Sequence, residues 1–168
     1  MEPRERKKLR LTGYDYNQTG CYFLTICTKE KHPILWRRGA QCAPADGDLP
    51  LSEAGEAVQT AIFRIAEHYP HVSVEKYVIM PNHIHMILCV NNGRTLCAPT
   101  QSSAKGNLVS RVVKHMKESV TKSIGYSIWQ KSYHDHIVRN DADYRRVWEY
   151  IDTNPLQWRE DCYYEEGL

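Results

Sequence analysis

The sequence predicts an α+β fold in which helices pack on one face of a largely antiparallel sheet. Three observations predict it. Aromatic and β-branched runs at 21–27, 72–80 and 132–140, and another from His83 onward, have the make-up of strands. Apolar residues recur at helical spacing over 52–68, from 107 to 124 and after Asn140. The elements follow the order strand, hairpin, helix, two strands, helix, strand, helix, which suits helices layered on a sheet.

CYFLTIC at 21–27 is the first strand, and ILW at 34–36 offers a short hairpin partner for it. RRGAQCAPADGDLP, 37–50, is loop by its Gly, Pro and Asp content. Ser52 then caps a helix running to about His68. Glu53 and Glu56 lie in its first turn, and Ala54, Val58, Ile62 and Ile65 form its apolar stripe. VSVEKYVIM, 72–80, alternates as a strand does; Pro81 and Asn82 break it and His83 begins the next. A polar, Gly/Ser-rich loop fills 91–106. From Asn107 to Ile124, Val109, Val112, Val113, Met116 and Val120 make one helical face, with Arg111, Lys114, Lys117 and Lys122 off it. SYHDHIVRN, 132–140, is a short strand. Asn140 with Asp143 resembles the cap of a last helix that Pro155 ends.

A chain of 168 residues has the length of one domain. Its opening MEPRERKKLR is charged throughout, and its longest apolar run is far short of the roughly 18 residues that span a bilayer. The expectation is a soluble, cytoplasmic protein forming one domain over 1–168, with 1–12 as a basic arm. Six cysteines include no C-x-x-C pair, against a zinc ribbon, and in a chain without a secretion signal they are expected to stay reduced. Cys21, Cys27 and Cys89 read as core filler. The net charge is only +2, but Arg4, Arg6, Lys7 and Lys8 crowd the start, and the last nine residues hold four acids. Basic patches bind phosphates, and an ordinary solvated helix face has the same composition.

The stretch YVIMPNHIHMILCV, 77–90, sets two histidines inside an apolar run. Residues i and i+2 of a strand share a face, so His83 and His85 project side by side as half of a metal site, or as two hydrogen-bonded histidines at a strand end. A histidine-triad hydrolase would need a third histidine at 87, where Ile87 stands. On the last helix Tyr144, Val147, Trp148 and Ile151 form the apolar stripe, while Tyr150 and Asn154 share a different face.

The sequence resembles the HUH-type single-tyrosine transposases, most closely the branch associated with repetitive extragenic palindromes. LRLTGYDYNQTGCYFLTICT, VEKYVIMPNHIHMIL and IWQKSYHDHIVRNDADYRRVWEYIDTNP carry the resemblance. The His, hydrophobic, His triplet is His83-Ile84-His85, preceded by Met80, Pro81 and Asn82; Tyr150 and Asn154-Pro155 complete the pattern. The resemblance implies a ferredoxin-like/RRM-like layer fold. It implies that His83, His85 and Asn154 hold a divalent metal, Mg2+ or Mn2+, and that Tyr150 attacks single-stranded DNA beside a hairpin to leave a 5′-phosphotyrosine link. His136 and Arg139 are candidates for supporting or DNA-contact roles. Arg111, Lys114, Lys117, Lys122 and the arm residues Arg4, Arg6, Lys7 and Lys8 are candidate DNA contacts. Tyr133, beside His134-Asp135-His136, is a competing nucleophile. A catalytically silent protein that binds hairpin DNA or RNA is the alternative to an enzyme, and the choice between monomer and homodimer stays open.

Overall fold

A computed structural model describes residues 14–37, 40, 50–91 and 107–164. Its strands are β1 (Gly20–Cys27), β2 (Val72–Ile79), β3 (His83–Val90) and β4 (His134–Val138); its helices are α1 (Glu53–Phe63), α2 (Ile65–His68), α3 (Leu108–Ile124) and α4 (Asp141–Thr153). The basic arm, most of the 37–50 loop and nearly all of 91–106 lie outside the described residues. Among those described, no helix is long and apolar enough to cross a membrane.

The strands form one antiparallel sheet in the order β2-β3-β1-β4. This is the split β-α-β arrangement of a ferredoxin-like fold. All eight residues of β3 are buried, as a central strand covered on both faces requires. The register of β1 against β3 sets Cys27 opposite His83, Thr25 opposite His85 and Phe23 opposite Ile87. One face therefore carries Phe23, Thr25, His83 and His85, and the other carries Leu24, Ile26, Ile84 and Met86.

The helices divide between these faces, where sequence reasoning placed them on one. Tyr77, opposite Met86 on the second face, accepts a hydrogen bond from Gln59 of α1, and α3 packs beside α1. On the first face α4 lies over β2 and β3, bringing Tyr150 against His85. Val147 and Ile151 anchor it. Trp148, expected in that stripe, is half-exposed and instead lies under the Lys76 ammonium, 4.9 Å from its ring centre.

Caps explain the helix starts. Ser52 accepts from the Gly55 N–H, Asn107 from Ser110 and Asn140 from Asp143. The expected continuous helix from Ser52 to His68 is interrupted at Arg64, which separates α1 from α2. The expected hairpin at 34–36 is absent: Trp36 bridges to Leu51, its indole N–H donates to the Ile79 carbonyl, and Leu35 bonds Pro81. That segment covers the break between β2 and β3 and does not pair with β1. Cys21 and Cys89 were expected as reduced thiols; their opposition across β1 and β3, with Cα atoms 4.1 Å apart, places them in a disulfide. Among the described residues Cys27 and Cys162 are free.

Candidate active site

His83 and His85 are fully buried and turn their Nε2 atoms toward each other, 2.9 Å apart. Their other nitrogens are occupied. His83 Nδ1 lies 2.8 Å from Asn82 Oδ1, whose amide nitrogen donates to the Tyr163 carbonyl at 2.8 Å. With the amide so oriented, Nδ1 must carry the proton, leaving a lone pair on Nε2. His85 Nδ1 pairs with Thr25 Oγ1 at 2.9 Å. Burial, assisted by Lys31, pushes the His83 imidazole down to about 3. Burial and the neighbouring His83 likewise hold His85 well below its ordinary value. The outcome is two neutral imidazoles sharing one focus, the protonation state in which histidine ligates metal.

Tyr150 sits on the α4 face that looks at this focus. Its Oη is 3.4 Å from His85 Nε2, and its ring meets His85 and Phe23 edge-on. Burial raises the phenol's pKa, and the Asp161 carboxylate raises it further. Four residues along the helix, Asn154 is buried. Its Nδ2 donates to Asp161 Oδ2 at 2.8 Å, and its Oδ1 has no partner among the described residues.

Asp161 is the site residue that sequence reasoning missed. Its Oδ2 lies 3.9 Å from His83 Nε2 and 3.5 Å from Tyr150 Oη, and its Oδ1 accepts from the Tyr163 N–H. Ligand atoms of His83, His85 and Asp161 all fall within 4.8 Å of one another. A 3-10 turn at Trp158–Glu160, pinned by buried Trp158, carries the chain back past Pro155 to deliver it. The only signal in the sequence is an acid shortly after Asn154-Pro155, one of four among the last nine residues, with no period to set it apart. Two imidazole nitrogens, a carboxylate and an amide oxygen lacking a partner suit a divalent transition metal.

The remaining candidates stand apart. His136 is tied to Asp143 of α4 at 2.8 Å, and the Arg139 N–H reaches the same carboxylate. Tyr133 precedes β4, is buried, and pairs its Oη with Ser110 of α3. Arg111, Lys114, Lys117 and Lys122 are on α3, across the sheet from Tyr150. Arg4, Arg6, Lys7 and Lys8 lie outside the described residues.

Residues 50–154 match the family described as "Transposase IS200 like". The chain belongs to the IS200-like transposase family. The matched span takes in His83, His85, Tyr150 and Asn154 and stops short of Asp161. An uncharacterized protein of Haemophilus influenzae is 31% identical over 173 residues, which cover 95% of this IS200-like chain and 93% of its own. A REP-associated tyrosine transposase of Escherichia coli K12 is 26% identical over 84% of this chain and 70% of that protein. The solved structure of a REP-associated tyrosine transposase bound to a REP hairpin superposes with a TM-score of 0.61 at 22% identity, covering 89% of this chain and 74% of that one. This IS200-like chain shares its fold.

Proposed function

We propose that the chain nicks and joins single-stranded DNA beside hairpin elements, with Tyr150 as nucleophile and a divalent metal held by His83, His85, Asn154 and Asp161. One observation carries the reading: the Tyr150 hydroxyl meets the shared focus of two neutral imidazoles, 3.4 Å from His85 Nε2. A pure binding surface needs none of this arrangement. The relatives named as REP-associated tyrosine transposases supply the hairpin as substrate class.

The Tyr150 oxygen forms a bond to the scissile phosphorus, and the bond from phosphorus to the 3′-oxygen breaks. A 5′-phosphotyrosine and a free 3′-hydroxyl result, and attack by a 3′-hydroxyl reverses the step, so strands exchange without ATP. Asp161 Oδ2, 3.5 Å from the phenol, is within reach of its proton. A bound divalent ion supplies positive charge against the phosphodiester and lowers the cost of the phenolate. Asn82 and Thr25 fix both imidazoles with their Nε2 atoms inward. Nitrogen ligands favour manganese over magnesium.

The test is a denaturing gel with 5′- and 3′-labelled hairpin oligonucleotides and manganese or magnesium. Wild type is expected to give a metal-dependent covalent adduct, and Tyr150→Phe none. Cleavage persisting in Tyr150→Phe would mean that another residue is the nucleophile. Hairpin binding without any adduct would identify a silent binding protein.

A further inference from the structure

A groove of about 650 Å³ runs between α3 and the segment before β4. That volume falls in the range of about 300–1,000 Å³ usual for small-ligand clefts. Lys114, Lys117, Lys122 and Lys131 line it, against the single acid Glu118, which already pairs with Lys114. Among these lysines Lys117 is the least exposed. Its ammonium donates to the carbonyls of Gln130 and Ser132 at 2.7 and 3.0 Å, and no carboxylate among the described residues pairs with it. Burial lowers its pKa to about 8. A partly buried cation that has two neutral acceptors and no counter-charge carries a desolvation cost that an anion would offset.

Trp129, also in the lining and 7% exposed, holds an indole N–H with no acceptor among the described residues. Such an orphan buried donor carries a desolvation cost until an acceptor arrives. Lys122 and Lys131 form no ion pair among the described residues and flank the same groove. The groove is also joined to the catalytic end of the sheet. Trp129 bridges to Thr28, the Gln130 N–H bonds the Cys27 carbonyl, and Cys27 lies opposite His83.

We propose that this groove is a second DNA subsite, in which Lys117, flanked by Lys122 and Lys131, holds a backbone phosphodiester of the strand that Tyr150 attacks. It rests on the DNA-processing reading above and adds a contact on the side of the sheet opposite Tyr150. Charge complementarity selects a phosphate, and the short route to His83 selects the substrate strand as its source.

The experiment measures binding of a fluorescein-labelled hairpin oligonucleotide with an unpaired flank by anisotropy, across a salt series in EDTA, so that strand cleavage plays no part. Lys117→Met and the double variant Lys122→Ala/Lys131→Ala are each expected to weaken binding by about tenfold or more. The slope of log K against log salt should flatten by about one for each phosphate that is no longer neutralised. Affinities and slopes equal to wild type would overturn the subsite; if Lys117→Met does not fold in a thermal melt, the exposed double variant decides alone. Inorganic phosphate at matched ionic strength is expected to compete only weakly. If it binds wild type but not Lys117→Met while DNA affinity is the same in both, the groove is a free-anion site and the proposal fails. Wild type that binds no strand at all would overturn the DNA-processing reading, and this subsite with it.

Discussion

His83 and His85 stay neutral because a buried imidazolium loses its hydration, and their Nδ1 partners turn both Nε2 atoms toward one point. This has a consequence for stability. In the folded chain His83 takes up a proton only near pH 3, whereas in the unfolded chain it does so near 6.5. The His83 contribution to stability is therefore full above pH 6.5 and is lost as pH falls from there toward 3, because the unfolded state binds the proton first. Thermal melts in EDTA should show Tm dropping across that window, and His83→Gln should flatten the drop. If the proposed site holds a metal, Asp161→Asn should weaken Mn2+ binding about 10- to 100-fold in calorimetry, as should Asn82→Ala, which frees the His83 ring. Unchanged affinity in Asp161→Asn would leave Asn154 as the third ligand. The spacing of His83, His85, Tyr150 and Asn154 was legible in the chain because strand and helix periods put them on shared faces. Asp161 was not, because it arrives through a turn with no period to read.

At the level of elements, caps made the helices readable, and close approaches decided the rest. Gly55 lies inside α1, where propensity alone would favour alanine by about 1 kcal/mol. A Cβ there would run into the Leu35 carbonyl oxygen and crowd Leu51. Gly55→Ala should therefore lower stability by about 1–3 kcal/mol in urea melts, against the sign that propensity predicts. Asn140→Ala should cost about 1 kcal/mol by opening the first turn of α4. The segment at 34–36 misled sequence reasoning because three apolar residues beside a strand look like its partner. Their actual role is to cover the Pro81-Asn82 break, a contact between distant segments that no local pattern announces. The interruption at Arg64 was equally hidden, since the apolar stripe runs on through Ile65 without a change of phase.

Across the whole molecule the central strands separate two packings that do different work. α1 and α3 close the core on one face, and α4 lays Tyr150 over the histidines on the other. Ile151 is buried in α4 one residue beyond Tyr150. Ile151→Ala should cost about 2–5 kcal/mol and should also reduce adduct formation, since it loosens the helix that places the hydroxyl. Ile62→Ala in α1 should cost a similar stability while leaving adduct yield per folded molecule near wild type. The sequence by itself determined the type of each main strand and helix and the antiparallel α+β class, and it set His83 with His85 and Tyr150 with Asn154 as two separate pairs, because each of these follows from a local period or cap. Only the tertiary structure decided which face each helix covers, that Cys21 meets Cys89, and that Asp161 joins the histidines. Those depend on strand register and on a return of the chain after α4, and contacts between residues far apart in sequence leave no periodic trace within it.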